Sequence, residues 1–269
     1  MKRVEPRPDW PQSWKESHFY DRSEIYGEIT NYGYAYGYEN RREKTLALLT
    51  ETLAPGARIL DIAAAQGNFS LALAELGFDV TWNDLRAELA DYVRLKYERG
   101  TIAFAPGNVF ELNFPSLFDA VLITEVIEHV AHPDDFLAKV AALVRAGGCI
   151  VMTTPNGGYF KNRLPKFSEC ADPEIFEAMQ FKPNSDGHIF LLHTDEIEPL
   201  AQRAGLTVEK MVLFTNALTT GHVKTESLLK ILPRGLVRLA ERASSALPLA
   251  LQRKALFEIG VRFRKTSVP

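Results

Sequence analysis

Five short apolar runs, at residues 58–62, 78–82, 101–105, 118–124 and 148–154, are separated by stretches whose apolar residues recur at helical spacing. This alternation constrains the fold more than any other feature. Parallel strands need long crossovers, helices supply them, and the fixed hand of the crossover puts helices on both faces of one sheet. The expected class is therefore α/β, a Rossmann-like doubly wound sheet. LTVEKMVLF, from Leu206, adds a sixth strand. KALFEIGVRFRK places Ala255, Phe257, Ile259, Val261 and Phe263 on one side at period two and reads as a seventh. Between these two strands the basic, amphipathic stretch 219–252 reads as a helical insert.

A chain of 269 residues with 46% apolar content holds one large α/β domain with additions. The expected division is a tyrosine-rich N-terminal flap (1–45), the core (46–214), a basic helical insert or lid (215–252), and the last strand with its tail (253–269). Six of the nine tyrosines lie between Tyr20 and Tyr38, and their interleaved glycines argue against a continuous helix there. Either a loop or broken-helix flap, or a packed arm, fits that composition. Cys149 and Cys170 lack metal-ligand spacing, and the N-terminus lacks an apolar signal core, so a reducing cytoplasmic setting is expected. No window approaches the roughly 20 apolar residues that span a bilayer. From His222 onward ten Lys/Arg face three Asp/Glu, which leaves the rest of the chain acidic. Residues 222–252 thus offer a contact to an anionic acceptor, a peripheral membrane contact or a subunit contact, and homo-oligomerisation stays open.

The stretch RILDIAAAQGNFSLALAELGFDVTWND reads as strand, tight turn, helix and a second strand ending in an acid. Dinucleotide-binding turns use glycines so that the backbone can approach a pyrophosphate. Here Ala63 and Ala65 replace two of them, which suits a ligand without phosphate, such as S-adenosyl-L-methionine. Asp84, 23 residues after Asp61, stands where an acid would meet a ribose.

Taken together, ILDIAAAQGNFS, VTWND, FAPGNVFEL, FDAVLITEVIEHV and LVRAGGCIVMTTPN occur in an order that resembles the class I S-adenosylmethionine-dependent methyltransferases, over roughly residues 44–213. The resemblance implies a seven-stranded sheet of order 3-2-1-4-5-7-6 with the last strand antiparallel. It also implies a donor site at Asp61, Ala63, Gly67 and Thr124, with Asp84 on the ribose, and Asn108 by side chain and Val109 by backbone beside adenine.

For the acceptor, TEVIEHV is the informative stretch. On a helix starting at the strand's exit, Glu125, Glu128 and His129 would share one side. His188 follows later, in SDGHIFLLHTDEI. This combination resembles the ubiquinone-biosynthesis O-methyltransferases and the small-RNA 2′-O-methyltransferases. In the latter, such residues hold a divalent ion against vicinal hydroxyls. The resemblance therefore implies Glu125, Glu128, His129 and His188 as catalytic residues, either ligating Mg²⁺ or Mn²⁺ or acting with a histidine as general base. His132 and His193 read as structural, and Lys161, Arg163 and Lys166 as a basic loop at the acceptor entrance. The expected acceptor is a small molecule or glycan with a sugar diol or catechol-like hydroxyl. RNA is the alternative, opposed by the acidic catalytic region. A non-catalytic binding module is a third, opposed by Asp61, Gly67, Asp84 and Asn108.

Overall fold

The computed structural model describes residues 1–180 and 187–266, so the last three residues of the expected tail lie outside the described residues. The core alternates β1 (Arg58–Ile62), β2 (Asp79–Trp82), β3 (Thr101–Phe104), β4 (Phe118–Thr124), β5 (Val144–Pro155), β6 (Leu206–Asn216) and β7 (Leu256–Lys265) with helices. The strands form one sheet of order β3-β2-β1-β4-β5-β7-β6. All neighbours are parallel except β7, which runs antiparallel to both β5 and β6. The carboxyl ends of β1, β4, β5 and β6 therefore share one edge with the beginning of β7.

Alternate side chains divide between the two faces. Leu60, Ile62, Val121, Ile123, Ile150 and Met152 join one core with α5 (Pro133–Ala142) and α6 (Ile197–Arg203). Ile59, Val80, Ala120, Leu122, Cys149 and Val151 join the other, under α2 (Tyr32–Thr50) and α3 (Asn68–Glu75). β7 is buried along most of its length on both faces. Ala255 does not share its register, because it ends the helix that precedes the strand.

Two sequence expectations change at the N-terminus. Residues 12–24 form α1 (Gln12–Glu24), residues 25–31 break the helix as one of the two readings expected, and the rest of the tyrosine-glycine stretch, 32–38, lies inside α2 without a break. Asn31 caps α2, its side chain accepting from the Tyr34 N–H at 2.9 Å. The Glu226 carboxylate adds two bonds, from the N–H groups of Tyr32 (2.9 Å) and Gly33 (3.1 Å), at the positive end of the helix dipole. Gly33 is there for packing. A Cβ would lie 2.3 Å from the Thr220 carbonyl oxygen, so the helix can rest on that loop only without one. Tertiary contact thus outweighs the roughly 1 kcal/mol by which a helical glycine is disfavoured.

α1 is fastened to α4 (Leu89–Lys96) by a buried ion pair. Lys96 Nζ donates to Asp21 at 2.7 Å, and both side chains are fully buried. The insert between β6 and β7 is helical as expected. Pro233 and Pro248 divide it into α7 (Glu226–Ile231), α8 (Arg234–Ser245) and α9 (Leu249–Ala255), each proline preceding the first residue of a new helix. Among the described residues no helix is long and apolar enough to cross a membrane.

Candidate active site

The turn after β1 adopts the backbone that glycines would normally provide. Ala63 and Ala65 have φ of 55° and 46°, and Gly67, which precedes α3, has φ of 71°. The surrounding bonds hold this geometry. The Ala64 N–H donates to the Asn83 carbonyl (2.8 Å), the Ala65 N–H to Asp84 Oδ2 (2.9 Å), and Trp82 Nε1 to the Ala65 carbonyl (3.1 Å). A left-handed alanine costs roughly 1–2 kcal/mol, partly offset by the smaller entropy it loses on folding. Ala63→Gly is therefore expected to stabilise the protein by about 0.5–1 kcal/mol. Its Cβ is exposed, so no packing is lost. A lower midpoint in urea for Ala63→Gly would show that the turn is not strained.

The acids beside the turn are both buried. Asp61 Oδ2 accepts from the Ser70 hydroxyl at 2.5 Å, while Oδ1 has no partner. Burial, with a smaller contribution from the Asp84 charge, pushes the Asp61 carboxyl up to about 7. Asp84 accepts from the N–H groups of Ala65 and Arg86 and from the Arg86 guanidinium, at 2.9–3.3 Å. It sits where a ribose-binding acid is expected, but its lone pairs are filled by its own chain. A ribose hydroxyl would replace the half-exposed Arg86 guanidinium.

A cavity of about 770 Å³ opens above these groups. Ala63, Asn108 and Val109 line it. Asp61, Gly67 and Asp84 are not among its lining residues, although their neighbours Ile62 and Asn83 are, and Thr124 ends β4 next to Glu125. The Asn108 side chain forms a local turn, accepting from the Phe110 N–H (3.2 Å) and donating to Glu111 (2.8 Å). Sequence reading passed over Asn83, whose amide bridges the carbonyls of Ala105 (2.6 Å) and Gly107 (3.0 Å) and ties the exit of β2 to that of β3. His132, expected to be structural, also lines the cavity and meets Glu177 at 3.0 Å.

The exit of β4 departs from the expected helix. Glu125 is left-handed (φ 53°) and is followed only by a 3₁₀ turn at Ile127–His129. The i, i+3, i+4 relation is therefore broken, and Glu125 parts from the other three residues. Its carboxylate pairs with Arg41 at 3.1 Å, and Arg41 also grips Glu258 with two bonds at 3.0 and 3.2 Å. Burial pushes the Glu258 carboxyl up to about 7 even against the Arg41 charge. Arg41 and Glu258 carried no sequence signal, being 84 and 133 residues from Glu125.

Glu128, His129 and His188 do converge. Their ligand atoms lie within 4.8 Å of one another. The two imidazoles pack edge to face at 4.9 Å, and His129 Nδ1 lies 3.2 Å from the Gly187 carbonyl. Glu128 is fully buried. Thr154 Oγ1 donates to Oε2 at 3.0 Å, while Oε1 is unpartnered. Burial, then the nearby Glu125 charge, holds this carboxyl well above the usual range. His193 lies apart, its backbone N–H bonded to Glu196 at 2.8 Å, and Glu196 precedes α6. Lys161 donates to the His222 carbonyl, and Lys166 pairs with Asp195 at 2.9 Å.

Comparison with known proteins bears on the family and the fold. A family model described as "Methyltransferase domain" matches residues 18–211. A ubiquinone biosynthesis O-methyltransferase of Xanthomonas campestris pv. campestris is 36% identical over 106 residues, which is 38% of this chain and 44% of that protein. Its counterpart from Cereibacter sphaeroides is 31% identical over 156 residues, covering 56% and 60%. The match thus spans about half the length of these relatives. Among solved structures, the N-methyltransferase NodS of Bradyrhizobium japonicum WM9, in complex with S-adenosyl-L-homocysteine, superposes with a TM-score of 0.55 at 12% identity, covering 96% of this chain and all of that one. The cyclase SpnF gives 0.58 at 15% identity, covering 96% and 98%, so the fold is shared beyond methyl transfer. With the family model spanning most of the chain, the protein belongs to the methyltransferase-domain family.

Proposed function

We propose that the chain transfers the methyl group of S-adenosyl-L-methionine to a hydroxyl oxygen of a small-molecule or glycan acceptor, a sugar diol or a catechol-like phenol. The observation that carries this reading is the convergence of Glu128, His129 and His188 within 4.8 Å, with His129 on the wall of the cavity that Ala63, Asn108 and Val109 also line. A hydroxyl is a poor nucleophile until its proton is removed, and imidazole is suited to take it. As the oxygen–methyl bond forms, the methyl–sulfur bond breaks and sulfur keeps the electron pair. The hydroxyl proton passes to an imidazole nitrogen.

The same three side chains fit a divalent ion. The unpartnered Glu128 Oε1 and two imidazoles make a mixed oxygen–nitrogen set of the kind that Mn²⁺, Fe²⁺, Co²⁺ and Zn²⁺ accept. Such an ion would lower the pKa of an acceptor hydroxyl. Glu125 lines the cavity but lies outside this set, paired with Arg41. Acidic residues around the cavity, among them Asp135, Glu174 and Glu177, favour a small acceptor over RNA, whose phosphates need a basic footprint. Incubation with methyl-labelled donor and a panel of sugars, catechols and RNA, with and without EDTA, tests the proposal. Label on a hydroxyl oxygen of a sugar or phenol supports it, and label only on nitrogen or only on RNA overturns it.

Donor binding should also depend on pH through Asp61. Its folded pKa, about 7, lies above the ordinary 3.8, so the unliganded site holds a proton that a cationic donor would displace. Affinity is then full above pH 7 and falls as the pH drops through it. In the free protein the same shift stabilises the fold at acid pH, and that stabilisation is lost as the pH rises from about 4 to 7. Calorimetry in two buffers should detect proton release on binding at pH 6, and Asp61→Asn should abolish it. Unchanged release in Asp61→Asn would assign the linkage elsewhere.

A further inference from the structure

Among the described residues, eight of the twenty large apolar side chains that face solvent lie between residues 223 and 251, a patch rather than scatter. Ile231 is 78% exposed, Leu239 60% and Leu236 52%. On α8 the residues turned inward are Val237, Ala240, Glu241 and Ser244. Helical spacing then divides the outer surface between a leucine side, with Leu236 and Leu239, and an arginine side, with Arg234, Arg238 and Arg242.

The charge on this surface is of one sign. Both acids of residues 222–255 turn inward, Glu226 onto the start of α2 and Glu241 onto the Asn216 N–H at 3.0 Å. Arg238 meets Glu39. Lys224, Lys230, Arg234, Arg242, Arg253 and Lys254 are exposed and have no ion pair among the described residues. The loop after β5 extends the surface. The Phe160 N–H donates to the Lys254 carbonyl at 3.1 Å, which sets the half-exposed Phe160 beside α9.

We propose that α7, α8 and α9 form a docking surface for an anionic lipid bilayer. The leucines enter the boundary between headgroups and acyl chains, and the arginines and lysines meet the anionic headgroups. A second copy of the chain is a poorer occupant. A two-fold contact would set this face against itself and oppose its unpaired cations, with no exposed acid to separate them. Gly221, His222 and Glu226, at the start of the same segment, line a second cavity of about 490 Å³ with Tyr34 and Arg41, so docking sets that cavity beside the bilayer.

Co-sedimentation with phosphatidylcholine vesicles, with and without about one third phosphatidylglycerol, tests the proposal. The protein should sediment only with the anionic vesicles, and about 0.5 M salt should weaken binding. Leu236→Glu/Leu239→Glu should lower partitioning roughly 100-fold and Arg234→Ala/Arg242→Ala about tenfold. Both pairs are exposed, so donor affinity should stay at the wild-type value and report an intact fold. The proposal is overturned by equal binding of wild type and the leucine variant, or by no binding to anionic vesicles. It is equally overturned by a dimer in light scattering that the leucine variant makes monomeric, or by retention on RNA and not on vesicles.

Discussion

Replacing both His129 and His188 by alanine is expected to lower kcat by a factor of about 10²–10⁴ and to leave the Kd for S-adenosyl-L-methionine nearly unchanged. The size follows from the loss of the only imidazoles that converge with Glu128 among the described residues. The selectivity follows from position, because the turn after β1 is held by bonds among Ala64, Ala65, Asn83 and Asp84. If an ion is held there, EDTA should reproduce the defect in the wild type, and Mn²⁺ or Mg²⁺ should restore it. If the histidines serve only as bases, chelation should leave the rate alone. Undiminished turnover in the double variant would move the acceptor chemistry away from this cluster, most directly to Arg41, Glu125 and Glu258.

Much of the sheet was legible because its strands are buried runs bounded by turns. Residues 58–62 and 118–124 coincide with β1 and β4, and the expected order holds across all seven strands. Three features were not legible, for separate reasons. Gly33 looked like a helix breaker because the carbonyl it accommodates, that of Thr220, lies 187 residues away. Glu125 looked helical because spacing carries no information about a single left-handed residue. Arg41 read as an ordinary helical charge because both carboxylates that hold it arrive from distant strands.

The left-handed residues other than glycine share a location. Ala63, Ala65, Glu125 and Thr215 are four of the five non-glycine residues with positive φ among the described residues, and they follow β1, follow β4 or lie near the end of β6. Thr215 is fully buried and β-branched, which makes a left-handed backbone especially costly. Strain of roughly 1–3 kcal/mol at such a residue persists only where the surroundings enforce it. Its clustering at the carboxyl edge of the sheet, where doubly wound folds bind ligands, marks that edge as the functional one independently of any motif.

Asp21→Ala should destabilise the protein by about 3–5 kcal/mol, because it leaves the fully buried Lys96 ammonium without its ion-pair partner. Asn68 would remain as its acceptor at 2.7 Å, and Tyr92 would lose the carboxylate it donates to at the same distance. The control that separates charge from packing is Asp21→Leu/Lys96→Met. Removing both charges together should recover most of the loss, since an apolar pair has no desolvation penalty. The effect should also reach the donor site. Asn68 donates to Asp21 and to Glu24, and Glu24 accepts from Gln66 in the turn at 3.0 Å. Loss of the network therefore frees the start of α3, and the Kd for S-adenosyl-L-methionine should rise in Asp21→Ala even where the variant remains folded. Urea titrations of the three proteins, with donor calorimetry below the transition, provide both readouts. A single variant as stable as wild type would show that water reaches Lys96. A double variant no better than the single would show that α1 is held by the shape of its contacts and not by the ion pair.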